Sequence, residues 1–157
     1  MTSAPRASIH AAAVIVAEAG VLIRGASGAG KSSLALAVVE AARLKGLFAC
    51  LVADDRVFVE PCNSRLIARP HPAIAGQVER RGQGIGPAPH EAAAILRCVV
   101  DFAPAAGSPG APDRMPGEGE DFVTLENVRL PRLAVPTGLG AAETARILID
   151  FLVRRPL

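Results

Sequence analysis

The sequence has no tryptophan, no tyrosine and five phenylalanines among its 157 residues. Modules that bind single-stranded nucleic acid stack bases on exposed aromatic side chains, so this composition argues against such a module. An excess of one charge is also lacking, because 17 lysines and arginines stand against 15 aspartates and glutamates. A net charge of +2 is too small to indicate a polyanionic partner. We therefore expect no nucleic-acid partner.

Paired cysteines and long apolar runs are missing as well. Cys50, Cys62 and Cys98 are odd in number and widely spaced, without the Cys-x-x-Cys or Cys/His spacing of a zinc site. They are typical of free thiols in a reducing compartment. No apolar run approaches the roughly 20 residues of a membrane-spanning helix. We expect a cytoplasmic protein that does not associate with membranes.

The apolar content is sufficient for a core. Half of the residues are apolar and the mean hydropathy is +0.34, which excludes global disorder. The length is that of one domain, and we interpret residues 1–157 as a single domain. Four prolines and three glycines fall within residues 103–117, so we predict a flexible loop at 103–120.

The hydrophobic pattern predicts strands that alternate with helices, which indicates an α/β fold with a mixed sheet and flanking helices. A continuous apolar run at 47–53 is typical of a fully buried central strand. Residues 70–90 contain four prolines and four glycines, which predicts loop for most of this stretch. The short segment 61–64 is predicted as a hairpin turn. Helices are predicted at 31–44 and 141–154, and further strands at 12–16, 21–24, 57–60 and 66–68. Residues 92–100 are expected to include another strand, and residues 123–135 are strand-like with turn residues.

The most informative segment matches the phosphate-loop motif G-x-x-x-x-G-K-[ST] at every fixed position. Its backbone N–H groups would cradle phosphate oxygens, and glycines permit the necessary close approach. Lys31 would reach the β- and γ-phosphates, and the hydroxyl of Ser32 would bind Mg²⁺. An apolar strand before the motif and an amphipathic helix after it favour phosphate binding over a chance glycine-rich turn. The predicted nucleotide-binding residues are Gly25, Ala26, Ser27, Gly28, Ala29, Gly30, Lys31 and Ser32.

Two carboxylates, Asp54 and Asp55, follow the predicted strand at 47–53. Ligands of open α/β sheets lie at the carboxyl ends of strands, so the pair is a candidate for catalysis. Neighbouring residues on an extended chain point in opposite directions, and the two side chains therefore cannot face a nucleotide equally. One could assist Mg²⁺ while the other accepts a proton from an attacking hydroxyl or water. The alternative is an aspartate pair that caps a turn.

Two further polar candidates are weaker when taken alone. His10 precedes the first strand, and a single histidine is more often structural or exposed. The segment 79–85 begins with Glu79, continues with Arg80 and Arg81, and contains two glycines. It could be a solvated loop, or it could supply a metal ligand and a phosphate clamp.

In combination, four segments resemble HPr kinase/phosphorylase, specifically its C-terminal catalytic domain. His10 lies 21 residues before Lys31, as the family's active-site histidine does. Residues 25–32 match the family's phosphate loop, and residues 51–57 match its Val/Ile-Ala-Asp-Asp segment. Residues 79–85 resemble its Glu-x-Arg-Gly-x-Gly-Ile signature.

The resemblance implies an HPr kinase/PEP carboxykinase-like fold around the phosphate loop, and phosphoryl transfer from ATP to a serine of the phosphocarrier HPr. It also implies Mg²⁺, a homo-oligomer that is often a hexamer, and in many members the reverse phosphorolysis. Asp55 would be the proton acceptor for the attacking serine, with Asp54 as the second candidate. By match, the catalytic residues are Asp55, Asp54, His10 and Lys31, the metal ligands are Ser32 and Glu79, and Arg81 joins the site.

Several departures separate the sequence from the family pattern. The acidic residue that follows the loop serine is Ser33 here, and the spacing from the helix to the aspartate pair is longer. The family's arginine-containing loop near the C-terminus is replaced by residues 136–140, so we expect weak or no phosphorylase activity. We expect the short alphaproteobacterial form, without the separate N-terminal domain of longer members. The alternatives are a small-molecule P-loop kinase and an ATP-binding regulator without phosphoryl transfer.

Overall fold

The structure, a computed structural model, describes residues 7–80, 82–103 and 122–155. Ten strands, two α-helices and a short 3₁₀ helix at Pro72–Ile74 make up these ranges. The strands are β1 (Ser8–Val16), β2 (Ala19–Arg24), β3 (Ala49–Ala53), β4 (Arg56–Cys62), β5 (Arg65–Pro70), β6 (Gln77–Arg80), β7 (Gly84–Pro87), β8 (Ala94–Ala103), β9 (Phe122–Leu125) and β10 (Val128–Pro136). The helices are α1 (Lys31–Leu44) and α2 (Ala141–Arg154).

The main sheet is mixed and curls so that β2 and β8 meet. Its strands follow the order β2-β1-β4-β5-β8-β10-β9, and the additional β2–β8 pairing closes a ring of five strands. The β2–β8 and β8–β10 pairs are parallel, while β1 pairs antiparallel with β2, β3 and β4. Strands β6 and β7 form a separate two-stranded sheet. This mixed sheet with its helices confirms the predicted fold class.

Two hydrophobic cores lie on opposite faces of the strands, because side chains alternate along each strand. One core joins the strands to both helices and contains Ile23, Leu34 and Leu148. The other lies among the strands and contains Leu22 and Leu66. The neighbours Leu22 and Ile23 thus belong to different cores, and a slip of one residue in β2 would exchange them. Burial on both faces therefore fixes the position of the loop that follows β2.

Helix α1 carries the phosphate-loop segment at its N-terminus and packs one apolar side on the sheet. Leu34, Ala35, Val38 and Ala42 are fully buried on that side. Gly46, with a φ of 77°, follows the helix and lets the chain turn toward β3. Both helices have the bounds expected from the sequence. In the ranges that the structure describes, neither is long and apolar enough to cross a membrane.

The stretch 70–90 is not mostly loop, so that prediction was wrong. Strands β6 and β7 pair antiparallel within it and form a hairpin. Gly82 and Gly84 have φ values of 77° and 79°, a region that favours glycine. The glycines that suggested an irregular loop instead permit a tight reversal between two short strands.

Two further predictions need correction. Strand β3 is buried at every position, but it is not a central strand. Within the described ranges it pairs with β1 and, through a single bridge, with residue 90. The turn predicted at 61–64 is shorter than expected, because Pro61 and Cys62 still belong to β4. Asn63 and Ser64 alone make the reversal, both at positive φ. The loop predicted at 103–120 lies, apart from Ala103, outside the described residues.

Candidate active site

The phosphate-loop segment connects β2 to α1. It follows β2 directly, has the N-cap of α1 at Gly30, and ends in the first turn of that helix. The first turn of α1 has no acidic residue, and no described side chain caps the helix. No capping side chain therefore accepts hydrogen bonds from the first N–H groups of the helix, which leaves these groups available to a ligand. With the positive end of the helix dipole, this arrangement suits a phosphate group.

The loop backbone depends on glycine at three positions, for two different reasons. Gly28 and Gly30 have φ values of 80° and 105°, and a Cβ atom at either position would meet nothing within 4 Å. Backbone conformation rather than space therefore favours glycine there. At Gly25 the limit is space, because a Cβ atom would lie 3.0 Å from Cβ of Phe102. Close packing of β8 against the loop thus sets where the loop begins.

Lys31 is the buried cation of the site, with 7% of its surface exposed. Its Nζ donates hydrogen bonds to the carbonyl oxygens of Gly25, at 2.9 Å, and Ala26, at 3.0 Å. An ammonium group has three donors, so one is left for an anion. The lysine therefore lies over its own loop, with one donor unused within the described ranges.

Asp54 links the phosphate loop to the β6–β7 hairpin. It is 6% exposed, and both carboxylate oxygens accept hydrogen bonds. Oδ1 accepts one from Ser32 Oγ at 2.7 Å, and Oδ2 accepts one from the backbone N–H of Glu79 at 3.2 Å. Because the hydroxyl proton of Ser32 points to Asp54, the lone pairs of that oxygen are available to another partner. Asp54 thus orients Ser32 and holds the hairpin beside it.

Asp55 is exposed to solvent, whereas Asp54 is buried. The Asp55 φ of 67° is left-handed and turns the chain between β3 and β4. Asp55 Oδ1 lies 2.8 Å from His10 Nε2. The two side chains are 62% and 53% exposed, respectively. An accessible carboxylate that is oriented by a histidine is suited to accept a proton from an incoming hydroxyl.

These groups surround one cleft of about 320 Å³. Ser32, Asp54 and Glu79 offer it a hydroxyl and two carboxylates, the hard oxygen donors that Mg²⁺ prefers. In nucleotide sites Mg²⁺ takes one or two carboxylates and completes its shell with phosphate oxygens and water. No group of three His, Cys, Asp or Glu side chains that could hold a metal occurs in the described part of the chain. The donor set therefore fits a cation that arrives with a phosphate ligand.

The structure brings together most of the side chains singled out in the sequence. The carbonyl oxygens of Gly25 and Ala26 accept hydrogen bonds from Lys31. The N–H of Ala29 donates a hydrogen bond within the loop, to the carbonyl oxygen of Ala26. Arg81 lies outside the described residues. Ser33, noted in the sequence only as a departure from a family pattern, also lines the cleft. The full lining is His10, Ser27, Gly28, Gly30, Lys31, Ser32, Ser33, Asp54, Asp55 and Glu79.

A charge cluster beside the loop was not predicted from the sequence. Arg24, the last residue of β2, donates two hydrogen bonds to Asp101, at 2.7 and 2.8 Å, and Arg132 Nε donates another. Burial acts to raise the pKa of Asp101, but the hydrogen bonds from both arginines outweigh it and hold that pKa below its usual value. The hydrogen bond to Asp101 likewise raises the pKa of Arg24. The parallel pairings of β8 with β2 and with β10 bring these residues together, and local sequence does not reveal those pairings.

The fold is a mixed α/β sheet with flanking helices, and its cleft lies at a glycine-rich loop between β2 and α1. Residues 2–154 match the model of the family described as HPr Serine kinase C-terminal domain. The chain belongs to this family.

Curated relatives and a solved structure show the same likeness. HPr kinase/phosphorylase of Limosilactobacillus reuteri (strain DSM 20016) is 30% identical over 148 residues, which cover 87% of this chain and 43% of the relative. HPr kinase/phosphorylase of Mycoplasma mycoides is 37% identical over 81 residues, or 52% of this chain and 24% of the relative. The chain thus spans less than half the length of these relatives. The Hpr(Ser) kinase/phosphatase from Coxiella burnetii has the same fold, with a TM-score of 0.68 at 23% identity and 95% coverage of both chains.

Proposed function

We propose that this protein is an ATP- and Mg²⁺-dependent kinase that phosphorylates a serine of the phosphocarrier protein HPr. The observation that carries the proposal is the different placement of two neighbouring carboxylates. Asp54 is bonded to Ser32 of the phosphate loop, whereas Asp55 faces solvent beside His10. Transfer to a hydroxyl uses one group on the metal side and another that orients the nucleophile. The names of the relatives suggest HPr as the substrate.

The phosphate loop would bind the nucleotide mainly through its phosphates. Backbone N–H groups of residues 25–32, except that of Ala29, which is bonded to Ala26, would cradle the phosphate oxygens. The remaining donor of Lys31 would reach the β- and γ-phosphates. Because Lys31 is buried, its charge acts at a lower effective dielectric than it would in water. It would therefore offset the negative charge on the oxygens of the transferred group.

Asp55 would accept the proton of the attacking serine hydroxyl. His10 occupies its Oδ1 atom, and Oδ2 has no partner in the described ranges, so Oδ2 is the atom offered to the substrate. The exposure of both side chains leaves room for a protein-borne serine to approach. We assign His10 the task of orienting the Asp55 carboxylate.

Ser32 and Glu79 would hold Mg²⁺, with Asp54 orienting the Ser32 oxygen. When bound, Mg²⁺ neutralises charge on the β- and γ-phosphate oxygens. The bond from the Glu79 N–H to Asp54 would keep the Glu79 side chain near the loop.

We extend the proposal to the reverse reaction, the cellular location and the oligomeric state. We propose weak or absent phosphorolysis of phosphorylated HPr, because residues 136–140 lack the arginine of the corresponding family loop. The three free cysteines support a cytoplasmic location. Family resemblance supports a homo-oligomer, in the form of a hexamer.

Label transfer tests the kinase. The protein is incubated with γ-labelled ATP, Mg²⁺ and HPr, and the labelled HPr is mapped by mass spectrometry. We expect label on a serine, and only with Mg²⁺ present. Lys31→Met should lower transfer at least about 10²-fold, as loss of an electrostatic stabiliser does. The matched control Lys45→Met removes an exposed lysine just beyond the other end of α1 and should leave transfer unchanged.

Two outcomes would overturn the proposal. Nucleotide binding without label on HPr favours an ATP-binding regulator. Label on a small hydroxyl compound in place of HPr favours a small-molecule kinase. Formation of pyrophosphate from phosphate and phosphorylated HPr at a rate similar to that of the forward reaction would contradict the weak phosphorolysis.

A further inference from the structure

Two serines follow Lys31 in the first turn of α1, and their hydroxyl groups have different surroundings. Ser32 Oγ donates its proton to Asp54 at 2.7 Å, so its lone pairs face away from that bond. Ser33 also lines the cleft and is exposed, but its hydroxyl bonds to no group in the described ranges. Ser32 is therefore arranged to accept, whereas the proton of Ser33 remains available to a ligand.

The backbone N–H of Ser33 is available as well. The first hydrogen bond across the start of α1 runs from the N–H of Leu34 to the carbonyl oxygen of Gly30. The N–H groups of residues 31–33 precede that bond and have no backbone acceptor in the part of the chain that the structure describes. Ser33 thus offers two hydrogen-bond donors, one from its main chain and one from its side chain.

Negative charge is kept away from Ser33. The first turn of α1 contains no acidic residue. The nearest carboxylate along the site, Asp54, is buried and accepts hydrogen bonds from Ser32 and from the N–H of Glu79. A neutral hydroxyl can donate to a phosphate oxygen without repulsion, whereas a carboxylate at the same position would repel it.

The order of the donors indicates which phosphate Ser33 would meet. In a loop of this type the lysine reaches the β- and γ-phosphates, and the hydroxyl that follows it binds Mg²⁺. The two phosphates nearest the transferred group would therefore use Lys31 and the metal at Ser32. The donors of Ser33, the next residue along the helix, remain for the third phosphate.

We propose that Ser33 binds the α-phosphate of the nucleotide and makes the site favour a nucleoside triphosphate over pyrophosphate as phosphoryl donor. The inference rests on the proposed kinase function, because it takes the phosphate loop as the nucleotide site. Pyrophosphate has two phosphates, which Lys31 and the metal at Ser32 would hold, so it would gain nothing from the Ser33 hydroxyl. A triphosphate would gain one charge-assisted hydrogen bond.

Titration calorimetry in the absence of HPr tests the inference on the full chain, with Mg²⁺ and either ATP or pyrophosphate as the ligand. Ser33→Ala should weaken ATP binding about 10-fold or more, the loss of one hydrogen bond to a charged group, and change pyrophosphate binding less than about 2-fold. The variant should fold, because Ser33 is exposed and alanine favours a helix.

Three further variants serve as controls. Ser33→Thr keeps the hydroxyl and should retain the affinity for ATP. Ser33→Glu adds a negative charge and should weaken ATP binding more than Ser33→Ala does. Ser64→Ala removes an exposed hydroxyl outside the cleft and should leave both affinities unchanged.

Phosphorus NMR of bound ATP locates the contact. Support requires that Ser33→Ala shifts the α-phosphorus resonance more than the γ-phosphorus resonance. Three results would overturn the inference: equal losses for ATP and pyrophosphate in Ser33→Ala, an unchanged ATP affinity in that variant, or an equal loss in Ser33→Thr. Each of these contradicts the role of Ser33 alone, because a wild-type chain that binds ATP still leaves the kinase standing. A wild-type chain that binds no ATP would overturn both.

Discussion

Two groups of carboxylates lie at the same end of the sheet and have opposite surroundings. Asp101 is shared by Arg24 and Arg132, which hold its charge in place and join three strands. Asp54 and Asp55 instead meet a hydroxyl, a backbone amide and an imidazole. A carboxylate that is bound by arginines stabilises the fold. One that is bound by weaker donors stays available to a cation or a proton.

The sharpest test of this comparison is Asp55→Asn, which removes the proposed proton acceptor. Transfer to HPr should fall by about 10² to 10⁴-fold, the usual contribution of a general base. Nucleotide affinity and the melting temperature should stay unchanged, because the side chain is exposed and lies outside the phosphate cradle. Kinetic assay and thermal unfolding check the two expectations. Full activity in Asp55→Asn would indicate that Asp54, and not Asp55, accepts the proton.

Asp101→Asn should instead affect stability, and we expect it to lower the free energy of unfolding by roughly 3 kcal/mol. Removing one partner of a buried ion cluster leaves the other charges uncompensated, and such losses are typically about 3–5 kcal/mol. Asp101 is only 13% exposed, so solvent screens the pair weakly. Urea unfolding measures the change. A loss below about 0.5 kcal/mol would show that the cluster does not stabilise the sheet.

The pH dependence of stability follows from the same cluster. The pKa of Asp101 is lowered in the folded protein, whereas in the unfolded chain its pKa has the ordinary aspartate value of about 3.9. Its contribution is therefore fully present above about pH 4 and is lost as the pH falls through the folded-state pKa. Urea titrations between neutral and acid pH should show the difference between wild type and Asp101→Asn shrinking below that point. A difference that stays constant into strong acid would contradict this assignment.

The smallest effect is expected for His10→Ala on stability. The His10–Asp55 pair is exposed on both sides, and such pairs contribute about 0–1 kcal/mol. The unfolding free energy should change by less than about 1 kcal/mol, while transfer to HPr falls because the Asp55 carboxylate loses its orienting partner. A loss as large as that of Asp101→Asn would remove the distinction between the two groups of carboxylates.

Local signals explain what the sequence could predict. The periodicity of α1, the glycine after it and the phosphate-loop motif each lie within a few residues, and the structure has α1 within the expected bounds. The different exposure of Asp54 and Asp55 could not be predicted from the alternation of an extended chain, because the chain bends at these two residues and Asp55 has a left-handed backbone.

Long-range pairing explains the rest. The ring closes through β2 and β8, whose paired residues Arg24 and Asp101 are 77 positions apart, and no local pattern encodes that contact. The ion pair of Arg24 with Asp101 depends on this strand order. The β6–β7 hairpin was missed for a different reason, since its glycines and prolines outweighed the short apolar alternation.

Asp54 binds the hairpin through the main chain of residue 79 and not through its side chain. Any residue except proline can supply that N–H group, so docking of the hairpin does not depend on the identity of the side chain at position 79. The same amide proton is a spectroscopic reporter, because its exchange with solvent slows while the carboxylate holds it. Glu79→Gln would then separate two events that a kinetic assay merges, cation binding and hairpin docking, through the resonance of a single amide.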